Sequence, residues 1–119
     1  MTKLKRVGFF QELKHGSSDG PSLRALARPR GATNEERVVA YLDAGVSFIV
    51  SPGMVRDVLD NSIIGTLAIL TDGTYAWPSD LAHYVKKHHV ELPGEFVAHV
   101  ESQGYLVPTG IDPRTLTLE

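Results

Sequence analysis

His83, His88, His89 and His99 are the side chains of this sequence that could hold a metal ion, and Asp57, Asp60 and Asp72 are those that could carry a proton. Two ligands on one helical face stand three or four residues apart, whereas His83 and His88 are five apart, and the adjacent His88 and His89 point in different directions. No acidic residue falls at ligand spacing beside them, so the histidines read as structural or solvated; a pairing of His88 or His89 with His99 from the next helix is the remaining geometric option. Asp72 stands in Thr71-Asp72-Gly73, where aspartate ordinarily bonds its own backbone in a turn. Asp57 and Asp60 resemble a carboxylate pair on a short helix, but paired acids need an enclosed cleft to transfer protons. No phosphate loop, dinucleotide fingerprint, nucleophile elbow or zinc-protease helix occurs. The expectation is a non-enzymatic protein with no cofactor and no metal.

The elements that must position these residues belong to a chain of 119 residues, 42% apolar and 22% charged, which is enough for one domain with its own core. The absence of cysteine excludes disulfide, thiolate-zinc and cysteine-nucleophile chemistry and fits the cytoplasm. No run approaches the roughly 18 apolar residues of a membrane span, and the N-terminus lacks a long apolar signal region. A soluble, cytoplasmic protein is therefore expected. The net charge of -2 conceals an asymmetry. Residues 1–34 hold Lys3, Lys5, Arg6, Lys14, Arg24, Arg28 and Arg30 against Glu12 and Asp19, and the remainder is acidic. A basic arm lying across an acidic body explains this split without a ligand. Nucleic acid is not favoured, because the acidic remainder repels phosphate and the basic residues are not interleaved with aromatics.

Along the chain, Phe9, Phe10 and Leu13 at helical spacing predict a short helix over 9–14, and residues 15–20 read as a flexible loop. Residues 22–27 predict a second short helix that Pro29 stops. Thr33-Asn34-Glu35-Glu36 has the form of a capping box and opens a helix over 34–44, with Gly45 as its left-handed cap. Residues 46–50 predict a strand, 54–60 a helix, and 63–65 a brief extended piece. Residues 67–70 and 74–77 form a hairpin about Asp72-Gly73, and Pro78 turns the second strand into a helix running through Leu81, Tyr84, Val85 and His88. Ser79 and Asp80 offer acceptors to its first turn. Pro93 opens a further helix capped by Gly104; residues 105–107 read as a final strand and 108–119 as an irregular tail.

The sum is a single small α+β domain over 1–119: an antiparallel sheet of three or four strands with helices on at least one face, and a basic, in part mobile segment over 1–34. Alternation places Tyr75 and Trp77 on one face of their strand. That face is either core or a contact surface. With the second choice, Tyr75, Trp77, Asp80 and Tyr84 are the candidate contacts, since aromatic anchors beside acids suit a basic protein partner. The alternative is a small-molecule-binding or enzymatic domain with a pocket near Trp77 and His83 or His99.

The segments GFFQELKHG, DGPSL, ERVVAYLDAG, PGMVRDVLD and LTDGTYAWPSDLAHYVKKHHVELPGEFVAHV resemble a group of small actinobacterial proteins, those of streptomycetes especially. Trp77-Pro78, Tyr84 and Leu92-Pro93-Gly94-Glu95-Phe96 are also similar to immunity proteins of bacterial polymorphic toxin systems. That second resemblance implies a small, acidic, cysteine-poor cytoplasmic protein that neutralises a toxin by binding it. It implies no catalytic residue, and the basic first third departs from a uniformly acidic inhibitor.

Overall fold

The Thr71-Asp72-Gly73 turn forms as its residue types require. Gly73 takes a φ of +92°, Asp72 Oδ1 accepts from the backbone N–H groups of Thr74 and Tyr75 at 2.9 and 2.7 Å, and Thr71 Oγ1 donates to the Tyr75 carbonyl at 2.7 Å. In the computed structural model, which describes residues 2–118, this turn joins strand β3 (Ile63–Thr71) to β4 (Tyr75–Pro78), with Leu70 opposite Trp77 and Thr71 opposite Ala76. Strand β2 (Val46–Arg56) runs antiparallel along the other side of β3. Strand β1 (Thr2–Arg6) lies parallel to β4, and β5 (Leu116–Leu118) lies parallel to β1.

The described residues thus form an α+β domain around a five-stranded sheet of order β2-β3-β4-β1-β5. The sheet is mixed, which corrects the antiparallel sheet of three or four strands. Both additional strands come from segments whose composition disguises them. β1 buries only Leu4 between charged neighbours, and β5 follows a proline-rich tail through a 3₁₀ turn at Pro113–Thr115. Tyr105, expected in a strand, instead follows Gly104 into left-handed backbone, with φ of +60° and +64°.

Helices α2 (Glu35–Asp43), α3 (Leu81–His88) and α4 (Gly94–Ser102) cover one face. Their stripes, with Tyr41, Leu42, Leu81, Tyr84, Phe96 and Val100 all buried, meet Tyr75 and Trp77 there. The opposite face buries Leu4, Phe9, Ile69, Ala76 and Leu116. No helix among the described residues is long and apolar enough to cross a membrane.

Three local expectations give way to stronger constraints. Residues 9–14 form turns rather than a helix, because Phe9 and Phe10 are divided between the two faces and a helix would hold both near one. Residues 54–60 continue β2 to Arg56 and then turn. β2 is a sheet edge, where Pro52 needs no ladder partner, and the Ser51/Met54 register shift absorbs Pro52-Gly53 as a bulge. Gly45 is not a left-handed cap; a Cβ there would lie 2.7 Å from Trp77 Cζ2 and 2.9 Å from Leu70 Cβ, so the position demands a small residue for close approach.

The short helix α1 (Leu23–Leu26) has a cap that sequence spacing does not suggest. Glu12 Oε1 accepts from the Leu23 N–H at 2.8 Å, and Oε2 accepts from the Arg24 N–H at 3.0 Å and the Ser22 hydroxyl at 2.9 Å. Burial alone would raise the Glu12 carboxyl, but these backbone N–H groups and the hydroxyl outweigh it and hold it below the usual 4.5. Its contribution is therefore present above the unfolded-state pKa and lost as pH falls through the depressed native one. Glu12→Gln is expected to cost about 1 kcal/mol at neutral pH, since an amide turns N–H toward one of these donors. The difference from wild type should vanish in urea melts well below pH 4.5; a deficit that persists there would show that packing, not charge, is responsible.

Candidate functional site

All four candidate contact residues are buried: Trp77 and Tyr84 fully, Asp80 and Tyr75 nearly so. The alternation of β4 aims Tyr75 and Trp77 into the helix-covered face, where both rings pack edge-on against Phe96 and the Trp77 indole N–H donates to the Leu42 carbonyl at 3.1 Å. They are core residues and not a contact patch. Asp80 does not cap α3. Its Oδ2 lies 2.9 Å from His15 Nε2, at ion-pair distance but without hydrogen-bond geometry. The Tyr84 hydroxyl accepts from the Val58 N–H at 3.0 Å, and burial pushes its pKa up to about 12. Tyr84 therefore fastens the turn after β2 to α3.

Each of the five histidines faces a carboxylate, and in every case the partner comes from another element. His89 Nδ1 meets Glu35 of α2 at 2.9 Å. His99 Nε2 of α4 donates to Asp72 Oδ2 at 2.9 Å, which also accepts the Tyr41 hydroxyl at 2.5 Å. Burial first, and then the hydrogen bond to Asp72 and its charge, raise the Tyr41 phenol well above its ordinary range. Asp72 is thus a turn residue, as its sequence context indicates, and also the hub that ties α2 and α4 to the hairpin.

The densest of these clusters is built around Asp57. After Arg56 the chain closes a tight loop in which the Asp57 N–H donates to the Ser62 carbonyl at 2.8 Å and the Asn61 N–H donates to the Asp57 carbonyl at 2.7 Å. Asp57 Oδ1 accepts from the Leu59 N–H at 2.8 Å and the Asp60 N–H at 3.3 Å, which fixes the carboxylate plane. Oδ2 is left for α3: His83 Nε2 lies 2.8 Å away and His88 Nε2 2.6 Å. Burial opposes the charge, yet the hydrogen bonds from His83, His88 and Leu59 prevail and hold the Asp57 carboxyl below its usual range. Beside it, Asp60 Oδ2 is 2.5 Å from Lys87 Nζ and 3.8 Å from His88 Nε2. The Asp57 side chain is fully buried, while the two rings retain about one-fifth exposure, at 23% and 20%, and form the solvent side of the cluster.

Helical spacing concealed this arrangement. Residues five apart are rotated by about 140° around a helix, so His83 and His88 share no face, but an oxygen supplied from outside the helix can be reached from both flanks. The signal that pointed to it is Asp57 followed by Asn61-Ser62, the composition of a side-chain-closed turn.

Clefts of about 570 and 360 Å³ lie between the N-terminal turns and the Glu91–Gly94 link and between α2 and that link; neither is lined by Trp77, His83 or His99. The outer edge of β2 exposes Ile49, Val50 and Met54, β3 exposes Ile63 opposite Arg56, and neither residues 44–55 nor 61–71 contain a charged side chain. No protein-family profile, curated protein or solved structure matches the chain.

Proposed function

We propose that this chain is a non-enzymatic protein-binding module whose contact surface is the outer edge of β2, with toxin neutralisation as its most concrete form. The observation that carries the reading is that β2, eleven residues long and paired on one side only, exposes Ile49, Val50 and Met54 and carries no charged residue of its own before Arg56. Edge strands that must stay unpaired ordinarily carry lysine or other charges. The occupant that fits is an extended segment of a partner protein, which adds to the ladder through main-chain hydrogen bonds and seats its own apolar side chains on Val50 and Met54. The alternative, a small-molecule or enzymatic pocket near Trp77 with His83 or His99, loses its anchor because the indole is sealed in the core.

Val50 is 71% exposed, so Val50→Lys should change folding stability by no more than about 0.5 kcal/mol. In co-expression with the toxin-domain product of a neighbouring gene, wild type should restore growth and co-purify, and Val50→Lys should do neither. No rescue and no complex with wild type would end the neutralisation reading. A concentration-dependent dimer in light scattering that Val50→Lys abolishes would assign the edge to a second copy instead.

A further inference from the structure

The Asp57 cluster lies just beyond the Arg56 end of β2, and its donor set is more than a buried acid needs. The two backbone N–H groups already satisfy Oδ1, and one imidazole would serve Oδ2; here two converge on the same oxygen. We infer that Asp57, His83 and His88 form a binding site for a divalent transition-metal ion, zinc in the first place, which staples the loop after β2 to helix α3.

Three independent features support this. One ligand atom each from Asp57, His83 and His88 lies within 4.8 Å of the others, and both Nε2 atoms stand within 2.8 Å of Asp57 Oδ2, close enough for one ion to touch all three residues. Two imidazoles and a carboxylate are borderline and hard donors of the kind zinc takes at about 2.0–2.2 Å. The carboxylate is held on its far oxygen by Leu59 and Asp60, and Tyr84 fastens the same turn through Val58, so the outer partners that orient a metal ligand are already in place. Ligands of one tetrahedral zinc stand roughly 3.3 Å apart. The hydrogen-bonded contacts of 2.6 and 2.8 Å therefore loosen slightly as the ion takes the place of the Nε2 hydrogens: each ring binds as the neutral tautomer with its one hydrogen on Nδ1, and any second proton leaves to solvent. The part-exposed rings leave the fourth position on the solvent side, with Asp60 adjacent.

The test uses the full chain, stripped with chelator and returned to metal-free buffer, with zinc(II) followed by calorimetry and cobalt(II) by its visible absorption. One ion per chain is expected, with an affinity that falls at least tenfold in His83→Ala and in His88→Ala and is lost in the double variant. His89→Ala, whose ring faces Glu35, should bind as wild type does. Zinc should also raise the melting temperature of wild type and of His89→Ala by mass action, and leave the double variant unmoved. Asp57→Ala also removes the acceptor for two loop N–H groups, so the histidine variants carry the argument if it fails to fold. Absence of saturable binding of either ion, or binding undiminished in the folded double variant, overturns the site.

Discussion

Asp72→Ala should destabilise the protein by about 3–5 kcal/mol, the largest effect expected of any single polar substitution, because removing one member of a buried charged network strands the rest. Four donors lose their acceptor at once: the N–H groups of Thr74 and Tyr75, the buried Tyr41 hydroxyl and His99 Nε2. The turn, α2 and α4 are loosened together. Tyr41→Phe removes one donor and leaves the carboxylate three others, so it should cost only about 1–2 kcal/mol. Urea denaturation of the two variants gives the comparison. An Asp72→Ala cost no larger than that of Tyr41→Phe would mean that water replaces the carboxylate and that Asp72 is merely a turn former.

Trp77→Ala should cost a similar amount, about 3–5 kcal/mol, through the cavity left where the indole meets Tyr41 and Phe96. The effect is made specific by Gly45. Gly45→Ala on its own forces a methyl group against the indole and should cost about 1–3 kcal/mol. In the Trp77→Phe background the ring edge nearest Gly45 is gone, and the same substitution should cost markedly less. A double-mutant cycle measures the coupling. Additive costs would show that Leu70, the other neighbour of that added Cβ, sets the size limit.

The parts of the fold legible in the sequence are those whose determinants lie within a few residues of each other. Asp72-Gly73 specifies the hairpin and Leu81, Tyr84 and Val85 mark the buried stripe of α3, and this holds; the second strand runs one residue past its expected end, since Pro78 still pairs with Ile69, and His88, expected in the stripe, is part-exposed. β1 was not legible. Its stability comes from Tyr75, Ala76 and the Leu116–Leu118 strand, and its own five residues offer one buried leucine among basic neighbours. Capping chemistry misled for a related reason. Thr33 to Glu36 spells a capping box, but the helix starts one residue later, on an Asn34 N-cap without a side-chain cap bond, and Asn34 donates its amide to the distant Tyr105 instead. The aspartate–histidine clusters show the same limit. Spacing along α3 argued against a shared ligand because it took the helix as the whole site, whereas the decisive oxygen arrives from a turn formed before the hairpin. Tyr84, read as a contact residue, acts inward and holds that turn.

The position of β1 between β4 and β5 also sets an order of events during synthesis. Of the five strands, the one made first is the last to gain both neighbours, since Lys5 waits for Tyr75 and Thr2 for Leu116. Meanwhile β2, β3 and β4 follow one another and can pair as they are made. A strand that waits until residue 116 has been made is at risk of pairing with a neighbouring nascent chain. Lys3, Lys5 and Arg6, which surround Leu4, lower that risk as gatekeepers. The basicity of the first segment then serves the growing polypeptide before it serves the finished one.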